Sequence, residues 1–554
     1  MRGREATIPA GDLGPVPWCG WASAWRATVA LVLAVTLARL AYLAWGCPYT
    51  LIEDEAHYWE WSRRLDWSYY SKGPGVAWLI AASTRVFGVG EFAVRFPAVI
   101  AAAVMTLSVA GLVRRSSGDG RAGFFAAACV LLTPAFQSTS LLMTIDMPYA
   151  ACWAVAAWAG WRAMTGGSAR WWFVLGLAVG VGFLFKYTIL LLVPGLVGFA
   201  WAWRRSAGVS VGAGGVGLAA SVALLGLIPV AVWNAQRDWP TVRHLLGHLG
   251  MRGGDVPMAG DSGGWGYSPW WTIEFIGSQA ALVGPVLALA LLGMTRRWFG
   301  VSTPGREGAD RLARAYLVWC AGPILVFYVL VSFVAEPEGN WAVAAYVTLS
   351  GLAGWTAVRG MDAWRERVSA WRALPEPRPR AGVLLTRPES PVQVAWHASV
   401  VFGVVAGAAI LRLDLVARLP GLERVVPLSR FMGADVMAAD VARLIEEARR
   451  ESGGLEPFVV SQFYGRAGQM AFYLPGRPVV YCSGSRMGGR RTQYDYWSET
   501  DLADASLAGR PAVMLGDAGI DWSWGFDRVE PRGRLSGDRK RQREAFLGFG
   551  YRPR

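Results

Sequence analysis

The sequence predicts a polytopic α-helical membrane protein that carries a small α/β domain at its C-terminal end. The 554-residue chain is 54% hydrophobic and only 17% charged, whereas a soluble domain averages about 25% charged residues. Many stretches reach the roughly 20 apolar residues that a membrane-spanning helix needs. After about residue 413 these stretches end, and short segments of alternating character replace them.

Eleven apolar runs account for the membrane-spanning part. Lipid offers no partner for backbone polar groups, so each run is predicted to be a helix. The first run follows three arginines and resembles a signal peptide, but more spans follow and no clean cleavage site is present, so we interpret it as an uncleaved helix. Residues 74–87 are apolar but short, and we interpret them as a re-entrant or interfacial segment. The eleven runs lie near residues 27–46, 92–113, 122–138, 147–163, 171–186, 188–203, 213–233, 276–294, 312–334, 341–358 and 394–412.

Arginines predict the orientation of these spans. They are concentrated in every second loop, at about 114–121, 162–170, 204–205, 296–314 and 359–387. Basic loops mark the cytoplasmic side of a membrane protein. The loops 47–91, 139–146, 234–275 and 335–340 are then predicted to face outward, as is everything after about residue 413.

The chain is therefore predicted to divide into two domains. A transmembrane domain covers residues 1–412 and includes the outer loop 47–91, and an extracytoplasmic α/β domain covers residues 413–554. Residues 435–452 have the apolar period of a helix. The segments EPFVVS, RPVVYC and PAVMLGD are typical of short strands, whereas the charged stretch 532–543 is predicted to be solvated.

The net charge of +14 does not indicate a nucleic-acid partner. Arginine-rich cytoplasmic loops account for part of it, and anionic lipid head groups or phosphate substrates attract the rest. The sequence has no Walker loop, zinc-ligand spacing or RNA-binding signature. None of the six cysteines form a CxxC pair. Cys47 and Cys482 are both predicted to lie outside, and whether they form a disulfide stays open.

The stretch LIEDEAHYWEW at residues 51–61 is the most unusual part of the outer loop. Three adjacent acids, Glu53, Asp54 and Glu55, precede a histidine and several aromatic residues. Adjacent carboxylates raise one another's pKa, which can prepare one of them to act as a base. The alternative is a solvated membrane exit with an ordinary interfacial aromatic belt.

Further polar segments fall on the predicted outer side. A compact cation beside glycine backbone, as in SKGPG, suits a phosphate. Each segment also has a structural alternative: a lysine that reaches past apolar surface, a helix cap, or a solvated hairpin. The candidate residues are Lys72 in SKGPG, Asp146 in TIDMP, Lys186 and Tyr187 in FLFKYT, Arg243 and His244 in WNAQRDWPTVRHLLGH, and Asn340 and Trp341 in EPEGNWAVAAY.

The segment GDSGG at residues 260–264 matches the nucleophile loop of chymotrypsin-like proteases. Those proteases need a double β-barrel and a positioned His–Asp pair. Here the segment lies in a glycine-rich loop between predicted membrane helices, so we reject a protease function.

Taken in order, the outer segments resemble the GT-C superfamily of membrane glycosyltransferases, in the bacterial branch of the protein O-mannosyltransferase-like family that includes the aminoarabinose transferase of lipid A. The resemblance covers about residues 30–360. It departs at SKGPGVAWL, where relatives carry PP or KP, and at EGNW, where they often carry a histidine or lysine before an aromatic residue. The matched motifs are DEAxYW at 54–59, FGxxEFAVRxP at 87–97, xDxP at 145–148 and GLAxGxGFLxKYT at 176–188.

The resemblance implies an inverting hexosyl- or pentosyltransferase in the bacterial cytoplasmic membrane, with its active site on the periplasmic or extracellular side among membrane lipids. The donor would be a sugar on polyprenyl phosphate, and the acceptor a hydroxyl of a lipid, glycan or protein. Asp54 would take the proton of that hydroxyl, and Lys72 would stabilise the departing phosphate.

The remaining roles that the resemblance implies are less specific. Lys186, Arg243 and His244 are weaker candidates for the phosphate, and Glu55 and Asp146 would orient the acceptor or hold a metal. A divalent cation at Asp54 and Asp146 stays open, and no other cofactor is predicted. The other predicted substrate-binding residues are His57, Tyr58, Arg95, Tyr187, Asn340 and Trp341.

Two functions of other classes stay open beside the transferase. A flippase or transporter of lipid-linked sugars would place charged or broken helices near the membrane midplane, whereas the distinctive acids here lie at helix ends. A non-enzymatic envelope-assembly protein would use the C-terminal domain to bind a partner.

Overall fold

The computed structural model describes residues 21–206, 208–248, 251, 253–255, 267–295, 307–372, 390–536 and 543–553. The GDSGG segment lies outside the described residues. So do Arg2, Arg4 and several arginines of the 296–314 and 359–387 loops.

Sixteen helices form the part of the chain before residue 412 that the structure describes. They are α1 (Trp21–Trp45), α2 (Glu53–Arg63), α3 (Gly75–Phe87), α4 (Glu91–Ser117), α5 (Gly120–Leu132), α6 (Pro134–Thr139), α7 (Asp146–Gly166), α8 (Ala169–Phe183), α9 (Leu192–Ala202), α10 (Ala213–Ala235), α11 (Pro240–His248), α12 (Pro269–Val283), α13 (Val286–Met294), α14 (Glu307–Val331), α15 (Ala345–Arg372) and α16 (Ser390–Leu411). Each predicted apolar run coincides with one of these helices or with a pair of consecutive helices.

The chain is a polytopic helical membrane protein, as predicted. Within the described residues, helices α1, α4, α10, α14 and α16 are individually long and apolar enough to cross a membrane, and α12 with α13 would make a sixth span although they meet at 108°. The other predicted runs form helices that are shorter or more polar. Residues 74–87, interpreted as re-entrant or interfacial, form the 13-residue helix α3, which is shorter than the roughly 17 residues that a span requires.

The C-terminal part contains a mixed five-stranded sheet. Its helices are α17 (Leu413–Val416), α18 (Ala434–Glu451) and α19 (Tyr464–Tyr473), and its strands are β1 (Phe458–Ser461), β2 (Val480–Cys482), β3 (Ala512–Asp517), β4 (Phe526–Arg534) and β5 (Arg543–Tyr551). The strand order is β2-β1-β3-β5-β4. Strand β1 pairs in parallel with β2 and β3, whereas β5 is antiparallel to β3 and β4. Strand β4 extends into the stretch that was predicted to be solvated.

Helix α19 packs against α2 at backbone distance. A Cβ atom at Gly468 would lie 2.9 Å from the carbonyl carbon of Ala56, and one at Gly465 would lie 2.5 Å from the Cβ of Glu53. Only glycine permits this approach. The Nε2 amide of Gln469 also donates to the Leu51 carbonyl at 2.9 Å. The C-terminal part therefore forms a wall beside the three acids of α2.

Candidate active site

The three acids at the start of α2 point in three different directions. Successive residues of a helix are turned by about 100° around its axis, because one turn takes 3.6 residues. Glu55 faces α4, where it pairs with Arg95, and Glu53 faces β5, where Arg543 Nη2 lies 3.1 Å from its Oε1. No salt bridge of Asp54 occurs among the described residues. Asp54 is thus the unpaired carboxylate of the three.

Glu55 is fully internal. Its carboxylate accepts from Arg95 Nε at 2.9 Å and Nη2 at 2.8 Å, and from the backbone N–H groups of Met143 at 2.8 Å and Ile52 at 3.1 Å. Both side chains of the ion pair are almost completely buried. Arg95 also donates to the carbonyls of Tyr49 and Thr50. The polar atoms of Glu55 and Arg95 are therefore already engaged within the protein, which favours a structural role, and the substrate binding predicted for them stays a prediction.

Asp54 lies in a recess that remains open to solvent. Its side chain is exposed, yet desolvation by the surrounding protein is the largest cause that raises the pKa of its carboxyl. Glu53 and Asp146 raise this pKa further, whereas Lys72 and Arg490 lower it. These opposing charges identify the residues that surround Asp54.

Lys72 lies on the loop between α2 and α3, which packs against the end of α8. A Cβ at Gly73 would lie 2.4 Å from the Leu184 carbonyl oxygen, and the backbone N–H of Gly75 donates to that oxygen at 3.0 Å. Proline has no N–H to donate, so this hydrogen bond requires a residue other than proline at position 75, the second glycine of KGPG.

The Lys72 ammonium makes no salt bridge within the described residues. Burial, followed by the nearby Lys186, lowers the pKa of Lys72 to about 8, while Asp146 and Asp54 oppose that decrease. Lys72 is therefore a partly desolvated cation that lacks a fixed counter-ion, which suits an anionic ligand.

Asp146 joins three parts of the chain. Its Oδ1 accepts from Lys186 Nζ at 3.0 Å, and its Oδ2 accepts from the Asn340 amide at 3.1 Å. Lys186 also lies 5.6 Å from the Tyr149 ring centre. The structure thus brings Asp146, Lys186 and Asn340 together, as the sequence predicts, but Asp146 already neutralises Lys186.

Aromatic and histidine side chains line the surroundings of this cluster. Burial, followed by the nearby Asp54 carboxylate, raises the pKa of Tyr58. Trp341 packs against His248 and Tyr328 at ring-centre distances of 5.8 and 5.6 Å. Tyr187 packs on Phe183 at 4.8 Å.

The two predicted histidines are neutral. Burial lowers the pKa of His57 to about 3 and that of His244 to about 2. His57 accepts from Trp61 Nε1 at 3.1 Å and packs on Tyr464, so it stabilises the contact between α2 and α19. A neutral imidazole at His244 supplies no positive charge to a phosphate.

Arg243 is not brought into the cluster. Its guanidinium is half exposed and pairs with Asp238. The predicted phosphate role of Arg243 therefore finds no support in this arrangement, because the side chain is directed toward solvent on α11.

Arg490 is a site residue that the sequence did not predict. It lies in the GGRR segment after β2, half-buried, with its guanidinium 5.4 Å from the Tyr464 ring centre. Its charge lowers the pKa values of both Asp54 and Lys72. In the sequence, two arginines after two glycines were only a weak signal of a binding site. The position of Arg490 near Asp54 depends on the packing of α19 against α2, which the sequence does not show.

No group of three or more metal-ligating side chains occurs among the described residues. The divalent cation considered for Asp54 and Asp146 stays open on this geometry. Cys47 and Cys482 are both free thiols. Cys47 lies near the Arg95 guanidinium, and Cys482 is buried at the end of β2, so they form no disulfide with each other.

Comparison with known proteins shows which proteins this chain resembles. Residues 71–233 match the family described as dolichyl-phosphate-mannose-protein mannosyltransferase, a range that includes Lys72, Asp146 and Lys186. The chain is 30% identical over 333 residues to the lipid A galacturonosyltransferase RgtD of Rhizobium johnstonii. The predicted resemblance to the GT-C superfamily, in its aminoarabinose transferase-like branch, is confirmed.

A second relative and a solved structure agree with this resemblance. The undecaprenyl phosphate-α-4-amino-4-deoxy-L-arabinose arabinosyl transferase of Pseudomonas paraeruginosa is 31% identical over 240 residues, which are 40% of this chain. The crystal structure of ArnT from Cupriavidus metallidurans bound to undecaprenyl phosphate superposes with a TM-score of 0.56 at 16% identity, over 94% of this chain and 97% of that one. At this identity the superposition shows the fold.

The matches to these relatives cover only part of each chain. The match covers 60% of this chain and 65% of the RgtD chain, and it covers 42% of the arabinosyl transferase. The chain therefore matches less than two thirds of the length of these curated relatives.

Proposed function

We propose that the protein is an inverting glycosyltransferase that moves a sugar from a polyprenyl-phosphate donor to a hydroxyl of an envelope acceptor. The observation that carries this proposal is that one recess contains both a carboxylate, Asp54, and a cation, Lys72, neither of which makes a salt bridge among the described residues. An attacking hydroxyl needs a base, and a departing phosphate needs positive charge. The related proteins named for lipid A and undecaprenyl phosphate support a lipid acceptor and an undecaprenyl-phosphate donor.

The reaction follows from this arrangement. Asp54, in its ionised form, takes the proton of the acceptor hydroxyl while that oxygen attacks the anomeric carbon. The bond from this carbon to the phosphate oxygen breaks on the opposite face, so the configuration inverts. The leaving group departs as a phosphate anion, and Lys72 stabilises its charge. Asp146, held by Lys186 and Asn340, orients the sugar or the acceptor.

The cellular placement is part of the proposal. Residues from every predicted outer segment contribute to the recess or its walls: Asp54, Asp146, His248, Asn340 and Arg490. We assign this common end of the helices, together with residues 413–554, to the periplasmic side of the inner membrane. This is the side that lipid-linked sugars reach after translocation.

The test is transfer by the full-length protein in lipid nanodiscs. The assay offers undecaprenyl-phosphate-linked sugars and lipid A, and product is detected by mass spectrometry. Asp54→Asn should remove transfer, whereas Asp238→Asn, a matched change outside the recess, should retain it. Equal transfer by the parent and by Asp54→Asn would show that Asp54 is not the base. Lipid translocation without transfer by the parent would favour a flippase.

A further inference from the structure

A cavity of about 260 Å³ lies at the carboxyl ends of the parallel strands β1, β2 and β3. Its wall includes Gln462, directly after β1, Cys482 at the end of β2, and Asp517 at the end of β3. Crevices outside the carboxyl ends of parallel strands are the usual place for ligands in open α/β sheets. None of the predicted functional residues lies in this wall.

A buried arginine with unused donors lines this cavity. Arg466 is 3% exposed, and among the residues that the structure describes its Nε and Nη1 atoms have no hydrogen-bond partner. Its Nη2 atom pairs with Asp517 at 3.1 Å. Burial, followed by the neighbouring Arg543, lowers the pKa of Arg466, while Asp517 and Glu53 oppose that decrease. Arg466 therefore has one counter-ion, but two of its buried donors lack an acceptor. Buried polar groups are normally hydrogen-bonded, which indicates that further acceptor oxygens belong beside Nε and Nη1.

The backbone around Arg466 is also arranged for an anion. The cavity wall includes Phe463, Tyr464 and Arg466, the first residues of the ten-residue helix α19 and its N-cap. Phe463 gives no side-chain hydrogen bond to this first turn. A helix N-terminus carries free N–H groups and a partial positive charge, both of which favour anions. Arg490, on the opposite segment, adds a second guanidinium to the wall.

Two residues of the cavity wall also belong to the surroundings of Asp54. Tyr464 and Arg490 line the cavity, and both are coupled to Asp54: Arg490 lowers the pKa of Asp54, and Asp54 raises that of Tyr464. Tyr464 and Arg490 thus connect a group bound in the cavity with the proposed base. Its volume is below the roughly 300 Å³ at which small-molecule pockets begin, which fits one anionic group rather than a whole substrate.

We propose that this cavity is a subsite for an anionic group of the acceptor, a phosphate or a carboxylate, which Arg466 and Arg490 bind so that the neighbouring acceptor hydroxyl faces Asp54. The Nε–H and Nη1–H groups of Arg466, with Arg490, provide the charge-assisted donors that such oxygens need. The donor phosphate belongs to Lys72 under the proposed function, on which this inference rests. The subsite therefore distinguishes acceptors by their charge.

Binding is measured first, without any sugar transfer. A negative result for the acceptor subsite can then be distinguished from a negative result for the proposed transferase. The probes are three glycolipids with identical acyl chains, whose sugar carries a phosphate, a carboxylate or neither. The full-length protein in nanodiscs should bind at least one charged glycolipid about tenfold or more tightly than the uncharged one, which is the scale expected for charge-assisted hydrogen bonds. Equal affinity for all three would overturn the proposal.

Variants then assign the preference to the cavity. Arg466→Lys keeps the charge but removes the planar fork. Arg490→Gln removes the charge of a half-buried side chain that makes no salt bridge among the described residues. Either change should reduce the preference for the charged glycolipid at least several-fold. Arg528→Gln, a matched arginine on the distant strand β4, should leave it unchanged. A preference retained in both Arg466→Lys and Arg490→Gln would overturn the proposal, even if one of them folds poorly.

The source of the anion is distinguished by a second titration. Undecaprenyl phosphate should bind Arg466→Lys and the parent equally, and in the transfer assay the KM for the acceptor should rise while the KM for the donor stays constant. Weaker binding of undecaprenyl phosphate with unchanged glycolipid binding would show that the cavity holds a donor group, and the acceptor subsite would be refuted.

Discussion

Asp54 and Glu55 are neighbours in the chain, and we predict that replacing them has opposite consequences. Asp54→Asn should abolish sugar transfer and leave the protein folded, because Asp54 faces the recess and makes no salt bridge among the described residues. Glu55→Gln should destabilise the protein, because Glu55 holds Arg95 in the interior. Charge is removed by a nearly isosteric change in both variants, so they control for each other.

The loss of folding free energy expected for Glu55→Gln follows from the contacts of the Glu55 carboxylate. Oε1 accepts from Arg95 Nε and the Met143 N–H, and Oε2 accepts from Arg95 Nη2 and the Ile52 N–H. Glutamine must place its NH₂ group at one of these positions, where it meets two donors and no acceptor. Arg95 is left as a buried charge without its counter-ion, which costs about 3–5 kcal/mol. The ratio of folded to unfolded protein should fall by roughly a hundredfold or more.

The assay is unfolding in mixed micelles with increasing denaturant, followed by tryptophan fluorescence, alongside transfer activity in nanodiscs. Asp54→Asn should unfold at the midpoint of the parent and show no transfer. Glu55→Gln should unfold at a clearly lower denaturant concentration. If Glu55→Gln were as stable as the parent but inactive, Glu55 would act on the substrate and the structural role argued from its burial would be refuted.

Three further predictions concern Lys72, the pH dependence of transfer and the contact between α2 and α19. Lys72→Met should lower kcat by about 10²–10³, the usual effect of removing one stabilising donor of a developing anion, and unchanged kcat would contradict its role. Transfer should rise with pH as Asp54 ionises, above the usual carboxyl range because its pKa is raised, and should fall above about 8 as Lys72 loses its proton. Lys72→Arg should remove that fall in the pH–rate profile. Gly468→Val should overpack the α2–α19 contact and cost about 1–3 kcal/mol in denaturant unfolding, whereas Gly166→Ala, in open space, should cost less.

Most of the membrane part could be predicted because lipid imposes a strong rule on the sequence. Every backbone group in a span must be satisfied within a helix, so apolar runs and helices coincide. The run 276–294 shows a feature that this rule does not predict. It forms α12 and α13, separated by Gly284, whose φ of 64° is left-handed, and by Pro285. The sequence contained both residues, but apolar composition alone does not detect the bend.

The candidate site could be predicted only where its residues belong to local motifs. Asp54, Lys72, Asp146 and Lys186 do meet, as their motifs indicate. The pairing of Glu55 with Arg95, forty residues away in the chain, could not be predicted, because it depends on how α2 packs against α4. Arg490 could not be predicted for the same reason.

The C-terminal part supplies positive charge to the recess as well as forming a wall. Burial, followed by the carboxylates of Glu53 and Asp146, raises the pKa of Asp54. Arg543, on β5, neutralises Glu53, and Arg490 lowers the pKa of Asp54 directly. Both arginines come from residues after 413. A C-terminal part that served only to recruit a partner would have no reason to supply two cations to this recess, so the arrangement favours a single catalytic unit over an envelope-assembly module.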